Sequence, residues 1–187
     1  MSISCWQTVN GQVVNVTTEE YPPPGTITKD TLYYSGARKL QWQDFTGSLT
    51  PGSFSAAETM PGFSYDAASI KKGDTIFVRV YLQVYFVRNE SWVLAGEGND
   101  YALSHEQIHF DIAKIAEEQF NDSLLKKSFS AEYYPIEIHF LYWDFWRKMT
   151  DWEQQFDTET HHGMDRAKEA LWAEKVRKSL LSGSDLN

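Results

Sequence analysis

The chain has 187 residues, with 26 acidic against 17 basic side chains and a formal charge of -9. It is long enough for one domain with a substantial core, and its negative balance argues against a nucleic-acid partner. Cys5 is the only cysteine, which excludes an internal disulfide and a cysteine-based zinc site, and no apolar run reaches membrane-spanning length.

Taken in chain order, Met1 to Gly25 has neither a basic start nor an apolar central stretch, so no signal peptide is expected there. Val13, Val14 and Val16 suggest a short strand, stopped by Tyr21-Pro22-Pro23-Pro24-Gly25. Leu32-Tyr33-Tyr34 is a second candidate strand, and Leu40, Trp42 and Phe45 form a brief alternating segment. Gly47 to Gly62, rich in Ser, Pro, Gly and Thr, reads as a loop. The clearest strand is Thr75 to Val87. Ile76, Val78, Val80, Leu82, Val84 and Phe86 share one face, and the mixed opposite face predicts a sheet packed on one side only.

Gly96, Gly98 and Asn99 then break the chain, with Asn99 or Asp100 placed to cap a helix from about Tyr101 to Lys127. After Pro135, the positions Ile138, Tyr142, Phe145, Met149, Trp152 and Phe156 recur at helical spacing. Phe156 to Gly163 reads as a break, and Met164 to Leu181 as a last helix with Ala167, Leu171 and Leu180 among its apolar positions. Strands first and helices after predict an α+β fold: one domain over 1–187, with strands and loops to about residue 98 and a helical half from about 99.

The chemistry sits in His105-Glu106-Gln107-Ile108-His109, an H-E-x-x-H pattern at the start of the first helix. Residues four apart are offset by about 40° and stack one turn above each other, so two imidazoles can reach one ion. Glu106 projects beside that stripe, where it can polarise a water held by the metal. Asp111 lies about 200° around the helix from His109, so it is expected to pair with Lys114 or to touch a neighbouring element.

A catalytic zinc site usually takes three protein ligands. Six residues past His109, where an extended zinc-protease motif would carry a third His, the chain has Ile115. Candidates for the third ligand are His161, His162, Glu132, Glu137 and Glu153. His162 is favoured because Asp157-Thr158-Glu159-Thr160-His161-His162-Gly163 is polar, ends in glycine and supplies acceptors for the second imidazole nitrogen. Asp157 is weighed as such an acceptor, against a plain role in a turn or cap. His139, among apolar and aromatic neighbours, reads as a core or interface histidine. Trp143, Trp146 and Trp152 read as core before substrate groove. Tyr101, Tyr133 and Tyr134 are all available as transition-state donors.

Four segments carry a resemblance: Leu40-Gln41-Trp42-Gln43-Asp44-Phe45-Thr46-Gly47, Ser91-Trp92-Val93, His105 to Ile112, and Phe156 to Gly163. Over about residues 38 to 165 the chain resembles the bacterial domain of unknown function 922 family, regarded as zincin-like metallopeptidases. The family's late motif is similar to Tyr-Asp-x-x-Thr-x-His-Gly, which implies His162 rather than His161 as its histidine. Two positions depart from it: Ile108 stands where a small residue is common, and Phe156 where the family has Tyr.

The expectation is therefore a zincin-like α+β fold with an antiparallel-rich sheet against the active-site helix. Zn2+ would be held by His105, His109 and His162, with Glu106 as the general base in cleavage of a peptide or protein substrate. By analogy with zincins, that substrate would lie along a sheet edge, with Thr75 to Val87 as one candidate. The alternatives are a non-catalytic envelope or binding protein with a structural metal, and an amidase acting on a non-peptide substrate. The resemblance points to secretion or the cell envelope; the visible N-terminus leaves the cytoplasm open.

Overall fold

The computed structural model describes residues 11–49, 52 and 55–186; Cys5 lies outside them. The elements run β1 (Val13–Glu20), β2 (Thr31–Tyr33), β3 (Ala57–Glu58), β4 (Pro61–Lys72), β5 (Thr75–Val87), β6 (Trp92–Val93), α1 (Asp100–Lys126), α2 (Tyr134–Thr160) and α3 (Arg166–Ser182). The fold is α+β, with a mixed sheet followed by three helices.

β5 is the axis of the four-stranded sheet. β4 pairs antiparallel along one edge, from Pro61 opposite Phe86 to Lys72 opposite Thr75. The other edge is shared end to end by β1, which is parallel over Thr75 to Leu82, and β2, which is antiparallel over Tyr85 to Val87. Both edges of β5 are therefore taken, so the expectation that a substrate could add along Thr75–Val87 is corrected. Among the described residues no strand pairs with the outer edge of β4.

The even-numbered positions of β5, Ile76 to Phe86, are all buried, while Phe77 is 41% exposed on the opposite face. This is the one-sided sheet that the alternation predicts. The helices cover the buried face. On α1, Ile108, Ile112, Ile115, Ala116, Phe120 and Leu124 are buried at helical spacing. Phe120 meets Phe63 and Tyr65 of β4 and Tyr142 of α2 at ring-centroid distances of 5.6 to 6.0 Å. Among the described residues no helix is long and apolar enough to cross a membrane.

Three local expectations are corrected. β4 occupies residues read as loop or left unassigned. Its sequence PGFSYDAASIKK carries few strand formers, so pairing with β5 makes it a strand, through a two-residue turn with Gly73 at φ +59°. The Leu40–Phe45 segment is not extended. Trp42–Asp44 is a 3-10 turn, fixed by the buried Asp44 carboxylate, which accepts from the Gln41 N–H at 2.9 Å and from Arg38 at 2.8 and 2.9 Å. In α3 the inward positions are Glu169, Trp172, Val176 and Ser179, whereas Leu171 is 66% exposed.

α2 also runs on through Thr160 instead of breaking at Phe156. Phe156 is fully buried against Trp172, with ring centroids 5.4 Å apart. That anchor holds the next turn helical, and helix ends only at His161, where the backbone turns left-handed.

Candidate metal centre

Asn99 starts α1 with its side chain accepting the Ala102 N–H at 3.0 Å, which sets the helical register that stacks His105 above His109. Their rings lie 5.1 Å apart, and both rest on Phe156, which stacks on His105 at 4.6 Å and meets His109 edge-on at 5.1 Å. Phe156 thus places an apolar wall behind the imidazoles.

Asp157, the next residue of α2, meets the Nε2 edges of both rings, on a turn that the sequence reads as a break. Its Oδ1 lies 3.2 Å from His105 Nε2 and 3.2 Å from His109 Nε2. His105, His109 and Asp157 bring one ligand atom each within 4.8 Å of one another, and this group could hold a metal ion. Two imidazoles and a carboxylate are a donor set that divalent transition metals accept.

Two more carboxylates stand behind the rings. Glu169 of α3 places Oε2 3.1 Å from His105 Nδ1, and Glu153 of α2 places Oε1 at an ion-pair distance of 3.8 Å from His109 Nδ1. Glu153 Oε1 and Glu169 Oε1 are buried without a hydrogen-bond partner among the described residues. Burial alone pushes the His105 pKa down, but its bonds to Asp157 and Glu169 more than reverse this and raise it. At His109 burial is likewise outweighed, by the carboxylates of Asp157 and Glu153 and then by Glu106, and its pKa rises to about 10. Asp157 is driven the opposite way: burial would raise it, but the two histidines hold it well below the usual carboxylate range. The cluster therefore binds positive charge at neutral pH, and the protons on the ring nitrogens occupy positions a cation would take.

Of the other expected residues, Glu106 is buried beside the two histidines, at 5% exposure. His162 lies outside the three-donor group. Its Nδ1 is 3.5 Å from the other Asp157 oxygen, Oδ2, and its side chain is 69% exposed. His161 and His162 both take left-handed backbone, φ 50° and 53°, before Gly163 at φ 79°. Non-glycine residues enter that region at a cost of about 1 to 2 kcal/mol each. The amides of His161 and His162 close the end of α2 by donating to Thr158 O and Asp157 O.

Glu137 lies in the first turn of α2 and Glu132 just before that helix, so both stand about 30 Å or more along the axis from Asp157, and Glu137 is engaged with the Ser130 N–H. Glu153 alone of the glutamate candidates reaches the cluster.

Tyr101 donates its hydroxyl to Gly163 O at 2.7 Å and Tyr134 shares a 2.9 Å hydrogen bond with Ser69, so both hydroxyls are engaged. Tyr133 is exposed at the far end of α2. His139 is exposed rather than in a core, and accepts from Trp143 Nε1 at 2.9 Å. Of the tryptophans, Trp152 is core, while Trp143 is 39% exposed. Asp111 meets neighbouring elements, accepting from Tyr34 at 2.9 Å and pairing with Lys39 at 3.1 Å, and Lys114 instead pairs with Glu117 and Glu20.

Sequence reasoning did not single out Glu169. Its signal was the spacing Glu169, Trp172, Val176, which puts an acid on the inward stripe of the last helix. Compared with protein-family models, curated proteins and solved structures, the chain matches none.

Proposed function

We propose that the protein is a zinc-dependent hydrolase of the zincin type that cleaves peptide bonds. The observation that carries this reading is the convergence of both H-E-x-x-H imidazoles on one carboxylate oxygen, 3.2 Å from each, with Glu106 buried beside them. In this reading His105, His109 and Asp157 hold the ion, and His162 steadies Asp157 through its second oxygen.

The chemistry a bound zinc ion supplies is Lewis-acid polarisation of a carbonyl and of a water. The rest falls to the chain. The Glu106 carboxylate takes a proton from the attacking water and passes it to the departing amine nitrogen. Phe156 keeps the back of the imidazoles dry, which strengthens every charge interaction there. An extended peptide is proposed to pair with the outer edge of β4, with which no strand pairs among the described residues; β3, which leads into that strand, packs against α1. The sheet-and-helix arrangement supports the zincin-like reading, and the resemblance supports a secreted or envelope location.

The test is metal analysis of the purified protein combined with hydrolysis of a peptide library. One zinc per chain, with cleavage lost to a chelator and restored by zinc, is the expected result. A protein that takes up no zinc at micromolar concentration would sink the proposal.

A further inference from the structure

We infer that Glu169, from the last helix, is a positioning residue for the metal centre: it fixes the orientation and tautomer of His105 by accepting from its Nδ1. The inference rests on the metal-site reading above and extends it to an element outside the resembled segments.

Three observations point the same way. First, Glu169 occupies the inward stripe of α3 with Trp172, Val176 and Ser179, at 4% exposure. A leucine would serve packing better there, because a buried carboxylate costs several kcal/mol unless it is compensated. Second, the compensation is confined to one atom. Oε2 sits 3.1 Å from His105 Nδ1, and Oε1 has no hydrogen-bond partner among the described residues. A carboxylate kept for stability alone would be expected to use both oxygens. Third, the backbone makes room for this contact. A Cβ at Gly163 would come within 3.3 Å of His105 Nδ1, and Gly163 is held in place by Tyr101, whose hydroxyl donates to its carbonyl at 2.7 Å. Arg166, the first residue of α3, lies 4.4 Å over the Tyr101 ring, so the start of α3 is clamped to the start of α1.

An imidazole that binds a metal through Nε2 needs its proton on Nδ1 and its ring fixed in one orientation, and an acceptor at Nδ1 supplies both. Glu169 is the residue within hydrogen-bond reach of that nitrogen. Glu153 stands at the corresponding nitrogen of His109, but at 3.8 Å.

The experiment compares wild type, Glu169→Gln and Glu169→Ala by zinc affinity, measured in competition with a chromophoric chelator. Long-range 1H–15N NMR of the zinc-loaded histidines and thermal melts of the metal-free proteins accompany it. Glu169→Ala is expected to weaken zinc binding about 10- to 100-fold and to lose the hydrogen-bonded Nδ1–H signal of His105. Glu169→Gln keeps an acceptor oxygen, so it is expected to retain the Nδ1–H signal, lose less affinity and melt close to wild type. If Glu169→Ala does not fold, the glutamine variant decides, because its zinc affinity should still fall about threefold or more while its metal-free melt remains a single cooperative transition. Wild-type zinc affinity in the folded variants, with the His105 signal intact, overturns the role of Glu169 and leaves the hydrolase proposal standing. A wild-type protein that binds no zinc overturns both.

Discussion

His109 Nε2 and Asp157 Oδ1 stand 3.2 Å apart although 48 residues separate them in the chain. Two long helices make that approach possible. α1 fixes the histidine by its capped start at Asn99, and α2 fixes the aspartate one residue after Phe156, whose ring is wedged against both imidazoles. The positions of the donors are therefore set by packing that is independent of any ion, and the site is largely preorganised.

The relationship separates Asp157 from His162 as the third donor. Asp157→Ala is expected to lower zinc affinity by at least about 100-fold, beyond the usual effect of an orienting residue, whereas His162→Ala should cost less than about tenfold. Chelator competition on the two variants checks this. Equal losses would restore His162 to the ligand set, as the resemblance implies.

Glu106 is expected to be dispensable for metal and essential for turnover. Glu106→Gln preserves shape and burial but cannot accept a proton, so zinc occupancy should match wild type while kcat falls by about 10² to 10⁴. Occupancy by metal analysis and turnover on the best library peptide give both readings. Full turnover in the variant would remove the general-base role.

What the sequence disclosed follows from which interactions are local. The H-E-x-x-H pair, the Asn99 cap and the alternation of β5 are all written within a few residues, and each stands where the pattern predicts. In sequence Asp157 is either outer support for a histidine or a plain turn or cap residue, because Asp157 to Gly163 is polar and ends in glycine, the composition of a loop. The helix continues there because Phe156 is held by Trp172 from another helix, a long-range contact that a local window cannot contain. β4 was missed for the same reason: its partner, more than its own residues, makes it a strand. Glu169 was hidden because its significance depends on meeting His105, 64 positions away.

Acidity should act on the metal-free and metal-loaded forms with opposite signs. The His109 pKa is raised from 6.5 to about 10, so the stability its proton confers is complete below pH 6.5 and is lost as pH rises toward 10. Asp157 is lowered from 3.8, so its share is present above that value and is lost as pH falls further. The metal-free protein should thus melt highest between about pH 4 and 6.5 and lose stability toward pH 10. Zinc competes with the same His109 proton, so its apparent affinity should climb through neutral pH until about 10. Melting curves with and without zinc across that range check both slopes. A metal-free melting temperature that climbs from pH 6.5 to 9 would contradict the assigned ion pair.

The turn after α2 offers two substitutions of opposite sign within three residues. His161 is exposed at φ 50° and caps the helix, a position that favours glycine. His161→Gly removes a strain of about 1 to 2 kcal/mol against an entropic cost of about 0.5 to 1, so stability should hold or rise by up to about 1.5 kcal/mol, with zinc affinity unchanged. Gly163→Ala does the reverse. It places a Cβ at φ 79° and within 3.3 Å of His105 Nδ1, which costs about 1 to 2 kcal/mol in backbone strain alone. The same methyl group crowds the contact between His105 and Glu169, so zinc affinity should fall with stability. Denaturant melts and chelator competition on the two variants measure both effects. Loss of zinc in His161→Gly would show that His161, and with it a different turn geometry, belongs to the metal centre.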